Sequence, residues 1–200
     1  MDALITRAQL ISRGAKGGAA LAVAGMAIGP LVENAAAALP TMDLAYARLL
    51  VGAELLASDF YTQAINAANT GRVVTKYLKR AYANEQEHYQ SVAGILSGAG
   101  VTPAVSTDIT FSYPAGSFDT QKSILALANT LETTILGTYL GAVGGIQTTT
   151  LLQGIAQIAS CEAQHLSYFT SVSGGKAFDL SFPPALTIDQ ASDAMSAYTS

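Results

Sequence analysis

The stretches that decide the fold are YANEQEHYQS, residues 82–91, and SCEAQHLSY, residues 160–168. They contain both histidines of the 200-residue chain, and each histidine follows a glutamate by three residues. The two pairs are Glu85 with His88 and Glu162 with His165. Because residues three apart share a helix face, each pair can address one metal ion. We interpret all four residues as metal ligands.

Two more glutamates lie in strongly apolar surroundings. Glu54 sits within LLVGAELLA, and Glu132 is the only charged residue between Lys122 and Glu162. A buried carboxylate is costly unless a partner compensates for its lost hydration. The spacing also repeats, with 31 residues from Glu54 to Glu85 and 30 from Glu132 to Glu162. The pattern indicates a diverged duplication of a helix pair, with Glu54 and Glu132 as further ligands able to bridge two ions.

A tyrosine follows each of these two glutamates by seven residues, Tyr61 after Glu54 and Tyr139 after Glu132. Seven residues is about two helical turns, so each tyrosine is expected on the face of its own glutamate. Core packing is one interpretation of the pair. The alternatives are hydrogen bonding to the ligands and redox activity of the phenols.

The chain around these residues predicts an all-α fold, because it is rich in alanine and in long apolar runs. Four long helices are expected, at Met42–Thr70, Val73–Ser97, Thr120–Val143 and Thr148–Val172, with a short helix from about Ile188. Gly71 and the Gly144–Gly145 pair are expected to stop helices one and three. The connections are short, long and short, with a polar, proline-containing stretch of about 20 residues, Gly98–Asp119, in the middle. This order is typical of a four-helix bundle with one long crossover between helices two and three.

The ligand pattern resembles that of the ferritin-like di-iron and di-manganese carboxylate proteins, in which two helices each supply one glutamate and the other two each supply Glu-x-x-His. The resemblance covers roughly residues 43–172. It implies two Fe or Mn ions held by six residues: Glu54, Glu85, His88, Glu132, Glu162 and His165. The small-residue-rich style of the chain is also similar to exported bacterial ferritin-like proteins of desiccation-associated families.

Residues 1–38 differ from the rest and read as an export signal or an apolar tether. Arg7, Arg13 and Lys16 precede an uncharged run, residues 17–32, which is short for a membrane span, and small residues follow it. TRAQLIS, residues 6–12, resembles a twin-arginine signal with Ala8 in place of the second arginine. We therefore expect an exported protein, periplasmic or bound to the cell envelope. Residues 39–173 would form the bundle. Residues 174–200 would form a tail with a short helix that either caps the bundle, which is the preferred interpretation, or reaches a neighbouring subunit.

Composition excludes several classes of function. The net charge is -4, only 12% of residues are charged, and no basic cluster is present, so we expect no nucleic-acid partner. The single cysteine, Cys161, rules out an intramolecular disulfide and Cys-x-x-Cys metal sites, and a buried, unreactive thiol is expected. It also excludes a cysteine-bound iron centre for electron transfer in the same chain, as in rubrerythrins.

Three functions are compatible with this pattern. The first is a dinuclear centre that reacts with O2 or H2O2, with ferroxidase, peroxidase or catalase-like turnover. The second is iron sequestration in an assembled shell. The third is a structural or protective bundle with a vestigial metal site. The sequence leaves open iron or manganese, and whether the chain forms a homo-oligomer.

Overall fold

Five helices occur in the part of the chain that this computed structural model describes, residues 39–199. They are α1 (Thr41–Ala67), α2 (Arg72–Gly98), α3 (Gln121–Gly145), α4 (Thr149–Val172) and α5 (Ile188–Ser196). The predicted leader, residues 1–38, lies outside the described residues. Within residues 39–199, no helix combines the length and apolar character needed to cross a membrane.

The helix ends agree with the predicted ends to within two residues, except at the end of α1. α1 stops at Ala67, because Ala68 adopts a left-handed conformation with φ 55° and donates its N–H to the Ile65 carbonyl. Gly71 is therefore not the stop of α1; it precedes the first residue of α2 in an extended conformation. Gly145 belongs to the last turn of α3 and packs so closely that an added Cβ would lie 2.3 Å from the Tyr46 ring.

The four long helices pack as the predicted bundle. α1 packs against α2, α3 packs against α4, and α1 also packs against α3. Asp43, at the start of α1, accepts hydrogen bonds from the backbone N–H groups of Gln147 (2.7 Å) and Thr148 (2.9 Å), just after α3. Tyr61, near the end of α1, contacts Glu132 in the middle of α3. The two contacts show that α1 and α3 run antiparallel, and the all-α bundle with one long crossover is confirmed.

The tail lies against the same chain's bundle. α5 packs on α1 and α3, and the Leu186 N–H donates to the Gly137 carbonyl at 2.8 Å. Gly141 permits this approach, because an added Cβ would lie 1.9 Å from the Leu186 carbonyl oxygen. The Ser112 N–H donates to the Tyr198 carbonyl at 2.8 Å, which joins the crossover to the end of the tail.

Candidate metal centre

All six predicted ligands meet in the interior of the bundle. The four glutamates are between 0% and 1% exposed, and the histidines are 2% and 9% exposed. They form two overlapping groups, and in each group one ligand atom per residue lies within 4.8 Å of all the others. The groups are Glu54, Glu85, His88, Glu162 and Glu85, Glu132, Glu162, His165.

The Glu-x-x-His pair on α2 faces the Glu-x-x-His pair on α4. His88 Nδ1 lies 2.8 Å from Glu162 Oε1 and 3.3 Å from Glu85 Oε2. His165 Nδ1 lies 3.0 Å from Glu85 Oε1 and 3.2 Å from Glu162 Oε2. Each histidine therefore reaches the glutamate of both pairs, because the three-residue spacing stacks glutamate and histidine one turn apart on the inner face.

The two shared residues are not the ones that sequence reasoning selected. Glu54 and Glu132 were expected to be able to bridge two ions, and each belongs to one group. Glu85 and Glu162 belong to both groups, so these two could bridge ions bound at both positions. The reason is the relative position of the four helices, since α1 and α3 bring Glu54 and Glu132 to opposite ends of the cluster.

Tyr61 and Tyr139 hydrogen-bond the ligand glutamates across the α1–α3 interface. The Tyr139 hydroxyl donates to Glu54 Oε1, and the Tyr61 hydroxyl donates to Glu132 Oε1. All four side chains are at most 1% exposed. Each tyrosine was expected on the same face as the glutamate of its own helix, and its hydroxyl donates to the glutamate of the other helix. The phenols therefore fix one oxygen of each end glutamate and do more than fill the core.

The two end glutamates each keep one buried oxygen without a hydrogen bond, Glu54 Oε2 and Glu132 Oε2. Glu85 Oε1 and Glu162 Oε1 lie close only to a histidine nitrogen, His165 Nδ1 at 3.0 Å and His88 Nδ1 at 2.8 Å. Buried polar groups are normally paired, and an unpaired buried carboxylate oxygen is destabilising. Two unpaired carboxylate oxygens, with two more that contact only imidazole nitrogens, form a donor set that suits metal ions.

The charges of the cluster interact strongly. Burial raises the pKa of Glu54 and Glu132 well above the ordinary value, and the neighbouring carboxylates raise it further. Burial also acts to raise the pKa of Glu85, but hydrogen bonds with His165 and His88 lower it to about 2. Burial and the neighbouring carboxylates therefore favour the protonated form of the two end glutamates in the metal-free cluster.

The pKa of both histidines is raised. Burial acts to lower it, but hydrogen bonds with Cys161, Glu162 and Glu85 outweigh burial. The imidazoles are therefore cationic in the metal-free cluster, and metal ions must displace their protons.

Two residues beside the cluster were not predicted from the sequence to belong to the site. Asn84 Nδ2 lies 3.0 Å from His165 Nε2, and Cys161 Sγ lies 3.6 Å from the same nitrogen. Cys161 is half-buried, not fully buried as expected, and its pKa is lowered to about 7, because hydrogen bonds with His165 and His88 outweigh burial. The available signal was positional, since each residue directly precedes the glutamate of a Glu-x-x-His pair.

Two nearby acidic residues lie outside the cluster. Asp59 accepts hydrogen bonds from Tyr113 (2.9 Å) and Gln63 (2.7 Å) on the side of the bundle covered by the crossover. Glu87 lies between two ligands in sequence, but its side chain is exposed. Glu87 and His88 are adjacent in α2, and adjacent helical residues point in different directions, so one side chain is exposed and the other lies in the cluster.

Comparison with known families agrees with this geometry. The model of the ferritin-like domain family matches residues 42–175, about two-thirds of the chain. The chain belongs to the ferritin-like domain family. The match spans the four long helices of this ferritin-like chain and all six residues of the cluster. No curated protein matches it.

Proposed function

We propose that this ferritin-like protein binds two iron or manganese ions and that the centre reacts with O2 or H2O2. The observation that carries the proposal is the pair of overlapping ligand groups that share Glu85 and Glu162. Two metal positions with two common carboxylates are what a dinuclear centre requires.

The charge and chemistry of the ligands support the same proposal. Four ionised carboxylates balance the charge of two divalent ions, so two bound ions would replace the protons that the metal-free cluster holds. Carboxylate oxygens with one imidazole per ion suit iron and manganese, whereas thiolate-rich sites suit softer metals.

The residues around the centre would orient the ligands and limit access. Tyr139 and Tyr61 hold Oε1 of the end glutamates, which leaves Oε2 of each free for an ion. Iron or manganese, when bound, would supply the electrons that reduce O2 or H2O2. The His88 side chain is 11% exposed and that of His165 is 3% exposed, so small molecules would enter on the His88 side.

A small oxidant fits the site better than an organic substrate does. Two clefts of about 470 and 680 Å³ open on the described surface, and none of the six ligands lines either cleft. Neither cleft therefore delivers a larger molecule directly to the cluster. O2 and H2O2 need no such cleft, because both are small enough to diffuse between packed helices.

The cell envelope or the periplasm is the proposed place of action. This part of the proposal depends on the sequence of residues 1–38, with its basic start and uncharged apolar run. Fractionation of cells that express the full chain would test it, with the variant Arg7→Ala as a probe of the signal. Exclusive recovery from the cytoplasm, with an intact N-terminus, would contradict export.

Metal content is the first test of the dinuclear centre. Purified protein, loaded anaerobically with Fe(II) or Mn(II), is expected to hold about two ions per chain by elemental analysis. His88→Ala and His165→Ala should each lower the content while the helical circular dichroism persists. Glu87→Gln is the matched control, since Glu87 lies between ligands in sequence but is exposed. Full metal content in His88→Ala, or no uptake by the native chain, would contradict the proposal.

Turnover is the second test. The loaded native chain should consume O2 or H2O2 faster than loaded Glu54→Ala, while Glu87→Gln should match the native rate. Native mass measurement on the same samples distinguishes sequestration, because storage needs a large shell that accumulates many ions per chain. Bound metal without consumption of either oxidant would overturn the reactive centre and leave metal binding intact.

A further inference from the structure

The hydrogen bond made by Nε2 of His165 helps to fix the position of this ligand. Its Nδ1 atom faces Glu85 and Glu162, so Nδ1 is the atom available to a metal ion. A neutral imidazole that binds metal through Nδ1 carries its hydrogen on Nε2. Nε2–H then needs an acceptor, and ligating histidines usually find one in a carboxylate, a carbonyl or water.

Asn84 is placed to be that acceptor. Its terminal amide lies 3.0 Å from His165 Nε2 and 3.4 Å from Cys161 Sγ. A half-turn of the amide group exchanges oxygen and nitrogen without moving the contact. With Oδ1 at this position, Asn84 accepts Nε2–H from metal-bound His165 and the S–H of Cys161 together.

Among residues 39–199, no side-chain amide hydrogen-bonds the ring of His88. Its Nδ1 atom lies 3.3 Å from Glu85 Oε2 and 2.8 Å from Glu162 Oε1. Its side chain is also more exposed than that of His165, 11% against 3%. The two ends of the cluster are therefore alike in their ligands but different in what fixes the histidine.

We propose that Asn84 is a positioning residue that fixes the ring of His165 and makes the metal position of Glu132 and His165 the tighter of the two. This inference depends on the proposed dinuclear centre. The position of Glu54 and His88 then fills second and exchanges its ion more readily. Binding is stepwise as a result, although each position offers three carboxylates and one imidazole.

The test is a Mn(II) titration of the metal-free full chain, with free Mn(II) measured by electron paramagnetic resonance. The native chain is expected to bind in two steps. His165→Ala should remove the tighter step, and His88→Ala the weaker one. Asn84→Ala is expected to weaken the tighter step by about 10- to 100-fold and to spare the weaker one. Alanine favours the helix, so the variant keeps the fold of α2.

Two further variants separate positioning from general effects. Asn84→Asp keeps an acceptor at the same place and should retain the tighter step. Gln86→Ala is the matched control on α2, because Gln86 is half-buried and hydrogen-bonds Ser58 at 2.8 Å. It should leave both steps unchanged.

Three results would overturn the inference while the dinuclear centre stands: native affinities in Asn84→Ala, equal weakening of both steps, or an aspartate variant as weak as the alanine variant. A native chain that binds no Mn(II) or Fe(II) would instead overturn the proposed function, and this inference with it.

Discussion

Replacing Tyr139 by phenylalanine removes one hydroxyl and leaves the ring in place. In the native chain this hydroxyl is the hydrogen-bond donor to Glu54 Oε1, while Glu54 Oε2 has no partner. Both side chains are fully buried, so water does not replace the lost donor. A buried polar group left unsatisfied costs about 1–3 kcal/mol. For a chain of this size, that cost lowers the melting temperature by about 2–12 °C.

Thermal unfolding of the metal-free protein, followed by circular dichroism, measures this effect. Tyr113→Phe is the matched control, because its hydroxyl donates to Asp59 at 2.9 Å in a half-buried setting that water can reach. The control should change the free energy of unfolding by less than about 1 kcal/mol. The reasoning is refuted if Tyr139→Phe melts no lower than Tyr113→Phe.

Tyr139→Phe and its counterpart Tyr61→Phe can also be compared in metal binding. Loss of the Tyr139 hydroxyl frees Glu54 to rotate, so the metal position with His88 should weaken while the position with His165 is spared. Tyr61→Phe should act in the opposite way, through Glu132. Equal effects of the two variants on both Mn(II) binding steps would contradict the assignment of one tyrosine to each end of the cluster.

Three further predictions follow from the charges and the packing. Glu132→Gln keeps an oxygen acceptor for Tyr61 but loses the carboxylate, so metal content should fall to about one ion per chain with no loss of metal-free stability; retention of both ions would contradict this. The metal-free melting temperature should fall as pH rises from about 5 to 8. In the folded state the pKa of Glu54 and Glu132 is raised above 4.5, and the pKa of both histidines is raised above 6.5. The folded state therefore keeps protons that the unfolded chain releases over this range, and its stability falls. Saturating Mn(II) displaces those protons and should remove this pH-dependent fall in melting temperature. Calorimetry at several pH values checks both expectations. A metal-free melting temperature that rises from about pH 5 to 8 would refute the pKa directions. Gly141→Ala should destabilise the chain by about 1–3 kcal/mol, because its Cβ would lie 1.9 Å from the Leu186 carbonyl oxygen. Gly52→Ala, with nothing within 4 Å of the added carbon, should stabilise it by about 0.5–1 kcal/mol, and equal signs in denaturant unfolding would contradict the difference in packing.

The ligands could be predicted from the sequence because each one breaks the local pattern of its helix. Glu132 is charged within a long apolar stretch, and an apolar helix face tolerates a carboxylate only with a compensating partner. The structure places that glutamate at 1% exposure. The end of α1 was harder to predict, because a left-handed Ala68 carries no sequence signal of the kind that Gly71 offers.

The two glutamates that both ligand groups share could not be predicted from spacing, because spacing within a helix does not fix the register between helices. Two seven-residue intervals, from Glu54 to Tyr61 and from Glu132 to Tyr139, place a carboxylate and a phenol on the inner faces of α1 and α3. When equal intervals run antiparallel, each carboxylate meets the phenol of the other helix. That crossing holds Glu54 and Glu132 at opposite ends of the cluster. The space between the histidines is then left to Glu85 and Glu162, the glutamates of the Glu-x-x-His pairs.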